Sequence, residues 1–308
     1  MRAKLPLLVI TGPTATGKSA VAVEVALRVG GEVISADSMM VYRGMDIGTA
    51  KPTLAERKGV PHHLIDVVDP EENFSVATFQ ALAREHIREI NGRGHLPILA
   101  GGTGLYIRAV VKGFSFAGGV NQELRRRLME EARRLGALHL HERLRTVNPE
   151  AAARIHPHNV KRVVRALEVA YQTGKPILTQ ATPEYDTLTF GLYLEREELY
   201  RRIEERVDAM LAAGLVEEVR RLLDRGVPSE ATAMQALGYK EIAAYLRGKV
   251  TFEEAVRLIK RNTRRFAKRQ FTWFKREEEI RWLDVTAYPG PAAIAEEIAA
   301  RVKEYFGR

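Results

Sequence analysis

The sequence contains no cysteine, so disulfides and thiolate metal sites are excluded outright. Aromatic residues make up only 7 % of it, which makes the group Phe271, Trp273 and Phe274 conspicuous. No apolar stretch approaches the roughly 20 residues that a membrane helix needs. The charges at Arg2 and Lys4 are followed within a dozen residues by a glycine-rich loop, leaving no room for a cleaved signal. A cytoplasmic protein is expected. Repeats and low-complexity segments are absent as well. What is there, 308 residues with 45 % hydrophobic and 28 % charged, suits a soluble chain of one large domain or two smaller ones.

The most informative stretch is Gly12-Pro13-Thr14-Ala15-Thr16-Gly17-Lys18-Ser19. It follows the apolar run Leu5–Ile10 and opens a helical pattern over Ala20–Leu27, the strand-then-helix context that a G-x-x-x-x-G-K-S phosphate loop requires. Gly12 and Gly17 let the backbone curl until its N–H groups point inward, and the helix N-terminus adds partial positive charge. Lys18 brings a full charge, and the Ser19 hydroxyl can ligate a Mg²⁺ that bridges phosphate oxygens. The chain is expected to bind a di- or triphosphate.

Beyond the loop the pattern is that of an α/β protein with a parallel sheet. Glu32–Ser38 reads as a short strand with a polar end, where Asp37 and Ser38 should face the phosphate loop. His63–Asp69 reads as a third strand, Ser75 as the cap of a helix to Asn91, and Leu96–Ala100 as a further buried strand. That last strand runs into Gly101-Gly102-Thr103-Gly104, a second tight loop placed beside the first. From Asn121 to Thr173 the pattern is helical and is stopped by Gly174-Lys175-Pro176; an all-helical insertion over 118–185, of the kind that serves as a mobile lid, is expected within a core formed by 1–117 and 186–308. Leu188–Leu194 returns to the sheet, helices follow from Glu195, and Thr251 with Glu254 is a capping box for a long helix reaching about Arg276.

Charge is unevenly spread. The net charge is +9, and between Arg257 and Arg276 there are nine Lys or Arg and no acid. Like charges at helical spacing repel, so a face of one sign is stable mainly when a polyanion neutralises it. Phe271, Trp273 and Phe274 would offer surfaces on which bases stack. A smaller cluster, Lys161-Arg162-Val163-Val164-Arg165, would give an extended ligand a second anchor.

Several of these stretches, with Asp37-Ser38-Met39-Met40-Val41-Tyr42, Gly44–Pro52, Leu237-Gly238-Tyr239 and Lys268-Arg269-Gln270-Phe271-Thr272-Trp273-Phe274, resemble the tRNA dimethylallyltransferases in the same order along nearly the whole chain. Position 40 is Met where many relatives carry Gln, and without cysteine the chain lacks the zinc finger of eukaryotic members, so it resembles the bacterial type. The resemblance implies a P-loop NTPase-like fold and transfer of a dimethylallyl group from its diphosphate to N6 of the adenosine 3′ to the anticodon. It implies Asp37 as catalytic base, with Thr103 orienting the amine or a phosphate oxygen. The phosphate loop and Arg220 would hold the diphosphate with Mg²⁺. Contacts to tRNA would come from Asp37, Ser38, Met39, Met40, Thr103, Arg125, residues 161–165, Gly238, Tyr239, Lys268, Arg269, Gln270 and Trp273. A monomer is expected.

The residues leave other readings open. A small-molecule P-loop kinase would use Lys18, Ser19 and Asp37 but leave the basic helix idle. A switch ATPase would want a strand of four apolar residues ending in Asp beside the loop, and Val67-Val68-Asp69 is a poor substitute. Prenylation of a free adenine nucleotide would keep the chemistry and change the acceptor.

Overall fold

Leu7, Leu8, Val9 and Ile10 are all fully buried, so the strand they form needs a helical layer on each face. That strand, β1 (Leu5–Thr11), alternates: Leu8 and Ile10 join one core cluster while Leu7 and Val9 join another. Each such side chain contributes about 1.5–3 kcal/mol by burial, and Ile10→Ala would cost roughly 2–5 kcal/mol. The computed structural model describes residues 4–116, 119, 121–173, 178–180 and 183–307.

The chain forms two compact units, one running to Val111 and resuming at Glu184, the other Lys112–Pro183. The first begins with β1, α1 (Lys18–Val29), β2 (Gly31–Ser35), α2 (Leu54–Arg57), β3 (His62–His63), α3 (Val76–Gly92), β4 (Leu96–Ala100) and α4 (Gly104–Val111). The second holds β5 (Phe114–Phe116), α5 (Gln122–Leu135), α6 (Ala137–Val147), α7 (Pro149–Arg154), α8 (Val160–Thr173) and β6 (Leu178–Gln180). The first unit then resumes with β7 (Tyr185–Tyr193), α9 (Arg196–Ala212), α10 (Leu215–Asp224), α11 (Tyr239–Leu246), α12 (Phe252–Phe274), β8 (Arg281–Asp284) and α13 (Pro291–Phe306).

Six strands make one parallel sheet in the order β3-β2-β4-β1-β7-β8. One face carries α1 and α13, through Val21, Val25, Ile294 and Ile298; the other carries α3 and α4, through Phe79, Ile87, Ile107 and Val110. Helices α9 to α12 build a further core around Met45, Val207, Leu215, Tyr239 and Ile259. Because β1 and β2 are neighbours in sequence but flank β4 in space, the loops after β1, β2 and β4 converge at one end of the sheet. Such a reversal of strand order opens a crevice for ligands.

Three expectations change. The third strand is only His62–His63, with an isolated parallel bridge from Tyr42 to Val68; Leu64 (φ 61°) and Asp66 (φ 57°) take left-handed backbone that no strand can continue through. The second unit is not all-helical, since β5 and β6 pair antiparallel. Its limits are Lys112–Pro183, because Tyr185 already belongs to β7; the expected break at 117–118 and the stop at Gly174-Lys175-Pro176 lie outside the described residues. The cap of α12 forms as expected on the Thr251 side, whose hydroxyl accepts from the Glu254 N–H. Glu254 itself pairs with Arg257 instead of closing the box.

Candidate active site

The phosphate loop leaves β1 at Thr11 and reaches α1 at Lys18. Gly12 has φ 134°, and a Cβ there would lie 2.2 Å from the Leu192 carbonyl oxygen, so only glycine lets the loop pass β7. Ala15 is also left-handed (φ 66°), strain of the kind that collects in binding loops. Thr16 Oγ1 donates to the Pro13 carbonyl at 2.9 Å, closing the curl. No side chain caps α1, and its first turn holds no acid. Its free N–H groups and dipole therefore point at open space, which is what an anion requires.

The second loop is tied to the first. The Gly101 N–H donates to the Ile10 carbonyl at 3.1 Å, and Thr11 Oγ1 donates to the Gly101 carbonyl at 3.1 Å. The Thr103 N–H donates to the Ala36 carbonyl at 3.1 Å, which brings Thr103 beside the end of β2. There Asp37 Oδ1 accepts from the N–H groups of Met39 at 2.8 Å and Met40 at 3.4 Å, fixing the carboxylate in a turn of its own making. Thr103 Oγ1 accepts from the Ser38 N–H at 3.1 Å.

Lys18 is half-buried, and its ammonium donates to the Pro13 carbonyl. Burial pushes it down to about 7, Arg206 pushes it the same way, and Asp37 opposes both. Arg206 is likewise lowered by burial and partly restored by Asp37. Two cations crowded this way are a poor arrangement without an anion between them and a good one with it.

Two cavities meet here. The first, about 80 Å³, is lined by Lys18, Ser19, Met40, His62, Gly102 and Gln270 among others. The second, about 320 Å³, is lined by Ser38, Met39, Thr103, Met210, Gly238 and Arg269 among others. Thr14, Asp37, Arg206 and Phe266 line both, so the carboxylate stands on the wall the two cavities share.

The loop after Asp37 is pinned by two buried charges. Lys51 Nζ donates to the Tyr42 carbonyl at 3.0 Å and to Asp46 and Asp66 at 2.6 Å each. Glu218 on α10 accepts from the N–H groups of Asp46 (3.0 Å), Ile47 (2.8 Å) and Gly48 (3.1 Å), and from the Tyr239 hydroxyl. Gly48 and Thr49, which this network fixes, line the second cavity.

The structure brings together Asp37, Ser38, Thr103 and the phosphate loop as the sequence leads one to expect. Other expected contacts change. Arg220 is exposed on α10 and lines neither cavity, whereas Arg206 on α9 lines both. Tyr239 is fully buried with its hydroxyl donating to Glu218, so its side chain does not face solvent as a contact residue was expected to. Val163 and Val164 lie in the core of the second unit, while Lys161 and Arg162 are exposed beside them. Arg125 and Arg165 both pair with the buried Glu168, at 2.8 and 2.9 Å. Gln270 is buried against both glycine-rich loops rather than turned to solvent. Trp273 is half-buried over Gly104, where a Cβ would lie 2.4 Å from its ring, and Phe274 is buried. Phe271 packs edge-on against Trp282, with ring centroids 5.4 Å apart. None of the three is a free stacking surface.

Arg206 could have been found. Ile203, Arg206, Val207 and Met210 fall at the spacing of one helix stripe, and an arginine inside an apolar stripe is the signal.

A sequence model of the IPP transferase family matches residues 40–277. A tRNA dimethylallyltransferase of Desulforudis audaxviator (strain MP104C) is 57 % identical over 304 residues, covering 97 % of this chain and 98 % of that relative. One from Symbiobacterium thermophilum is 57 % identical over 307 residues, covering 98 % and 96 %. Among solved structures, the full-length tRNA isopentenylpyrophosphate transferase of Bacillus halodurans superposes with a TM-score of 0.75 at 47 % identity, covering 99 % of both chains. A eukaryotic dimethylallyltransferase acting on tRNA gives a TM-score of 0.81 at 30 % identity, covering 99 % of this chain and 80 % of that one. The fold is P-loop NTPase-like, and with likeness running from β1 to α13 at such identity the chain belongs to the IPP transferase family.

Proposed function

We propose that this protein transfers the dimethylallyl group of dimethylallyl diphosphate to N6 of the adenosine 3′ to the anticodon in tRNA. The observation that carries this reading is Asp37 on the wall shared by an anion-binding cavity and a larger one. The diphosphate would lie against the α1 amides, Lys18 and Arg206, and the base would enter the second cavity. As the allylic C–O bond breaks, charge grows on the departing pyrophosphate, where Lys18, Arg206 and the loop N–H groups are already aimed. The N6–carbon bond forms while Asp37 takes the N6 proton. Thr103, hydrogen-bonded to the Ser38 N–H, is placed to orient the amine. A target base inside a loop must leave its stack, which costs a few kcal/mol.

Mg²⁺ fits the donor set. Among the described residues no cluster of three or more His, Asp or Glu could cage an ion, so phosphate oxygens and water would carry most of its coordination. The Ser19 hydroxyl, exposed at the start of α1 and lining the first cavity, would be its protein ligand. The ion would supply further neutralisation of the leaving group.

Lys161 and Arg162 on α8, with Lys268 and Arg269 on α12, are exposed cations suited to RNA phosphates. We place the protein in the cytoplasm as a monomer; no helix among the described residues is long and apolar enough to cross a membrane. A kinase is not favoured, since the relatives matched along the whole chain are named as transferases. The test is mass spectrometry of nucleosides from tRNA incubated with protein, Mg²⁺ and dimethylallyl diphosphate. N6-dimethylallyladenosine at the position 3′ to the anticodon is expected, and its absence would refute the reading. Modification of AMP in preference to tRNA in a competition would move the acceptor to the free nucleotide.

A further inference from the structure

Gln270 sits on α12, 256 residues along the chain from the phosphate loop, yet its carboxamide completes that loop. The Thr14 N–H donates to Gln270 Oε1 at 2.8 Å, and Gln270 Nε2 donates to the Gly102 carbonyl at 2.9 Å. Gly102 has no side chain to keep the amide away; a Cβ there would lie 2.3 Å from Gln270 Nε2. The glutamine itself is buried.

A backbone amide has one hydrogen to give. In a phosphate loop that hydrogen is part of the anion cradle, and here Thr14 has spent its own on a neutral side chain. The position matters. The Lys18 ammonium reaches the Pro13 carbonyl, so it lies at the same end of the loop as Thr14, while Ser19 and the uncapped α1 amides form the other end. Two phosphoryl groups spanning Ser19 to Lys18 can be met by donors other than the Thr14 N–H. A third, extending past the lysine, would arrive at an amide already occupied, with a carboxamide and the second loop in its path.

We propose that Gln270 is a specificity-determining residue that closes the far end of the phosphate loop, fitting it to a diphosphate and against a triphosphate. The inference rests on the diphosphate reading given above. It explains why a neutral amide stands there: a carboxylate would repel any anion in the cradle, and a cation would invite the third phosphoryl group.

The test is calorimetric titration of the full chain with inorganic pyrophosphate and with tripolyphosphate, each with Mg²⁺. The wild type should bind pyrophosphate at least about tenfold more tightly, the worth of roughly one hydrogen bond. Gln270→Met, which keeps the volume and removes both polar atoms, should bring the two affinities within about threefold. Equal affinities in the wild type, or an unchanged ratio in the variant with both ligands weakened alike, would overturn the proposal and leave Gln270 a structural brace. Failure of pyrophosphate to bind the wild type would remove the diphosphate reading itself, and the proposal with it. Should Gln270→Met not fold by circular dichroism, amide spectra of the ¹⁵N-labelled wild type decide. Pyrophosphate should shift the Ala15–Ser19 resonances and leave Thr14 in place, and a large Thr14 shift would overturn the proposal.

Discussion

Asp37→Asn keeps the oxygen that accepts from the Met39 and Met40 N–H groups and removes the proton acceptor. We predict that kcat falls by about 10²–10⁴ while tRNA affinity stays within a few-fold. Steady-state kinetics with a parallel binding assay checks this, and a retained kcat would take Asp37 out of the base role. Lys18 gives a second prediction. Its pKa, lowered to about 7 by burial and by Arg206, means that the ammonium loses its proton as pH rises through neutrality. The KM for dimethylallyl diphosphate should therefore rise above pH 7, approaching about one decade per pH unit. In Lys18→Arg, whose guanidinium stays charged, KM should be flat across the same range. A wild-type KM that ignores pH would refute the assignment. At this scale the sequence was legible where spacing itself makes the chemistry, as in Gly12–Ser19. It was illegible where a side chain's role depends on a distant segment. Nothing near Gln270 in the chain announces that it faces Thr14, and the choice between Arg206 and Arg220 turns on which side of two helices faces the cavities.

Among elements, α12 shows most plainly why a one-sided charge pattern misleads. Lys260 pairs with Asp208 and Arg264 with Glu204, both acids of α9, so part of the neutralising charge comes from the neighbouring helix rather than from a polyanion. Lys268 and Arg269 remain exposed. Replacing Lys268 and Arg269 by Ala should flatten the salt dependence of tRNA binding, by about 0.7–0.9 in log–log slope for each phosphate that the variant no longer neutralises. Lys260→Ala with Arg264→Ala should act chiefly on melting temperature. Filter binding across a salt series separates the two, and identical slopes in wild type and the first variant would return that face to plain surface. The loop over Asp46–Gly48 belongs to this scale too. Tyr239→Phe removes one of four hydrogen bonds on Glu218 and should cost about 1.5–3 kcal/mol of stability, the range for a bond to a charged group. Glu218→Gln would turn an amide donor toward backbone donors, loosening the wall of the second cavity. Its KM for tRNA should rise several-fold more than that of Tyr239→Phe. Equal KM values in the two variants would refute this role.

For the whole molecule, the end of the sheet away from the site carries an acid-sensitive tie. Glu32 on β2 is buried; burial opposes its ionisation, but hydrogen bonds from His63, His95 and Arg93 outweigh that and hold it at about 2. A carboxylate depressed on folding contributes its stability in full above its unfolded value near 4.5, and loses it as pH falls toward 2. The melting temperature should fall more steeply across that window in the wild type than in Glu32→Gln, as read by thermal melts from pH 5 to pH 2. Parallel curves would refute the tie. The sheet core itself was readable from its apolar runs, because strands covered on both faces need little but hydrophobicity. The break in β3 was not, since Leu64, a residue type that rarely adopts left-handed backbone, takes it two residues before Asp66 does.

The anion cradle is written in the first twenty residues, yet β1 lies between β4 and β7, and α1 packs on α13. A nascent chain emerging from the ribosome thus carries the loop long before anything can hold it in shape. Gln270 follows 256 residues after Thr14, and the helix beneath α1 comes later still. Ligand capture should therefore wait on those later segments, and a chain stopped before Gln270 would keep the motif while lacking the carboxamide that holds the Thr14 N–H.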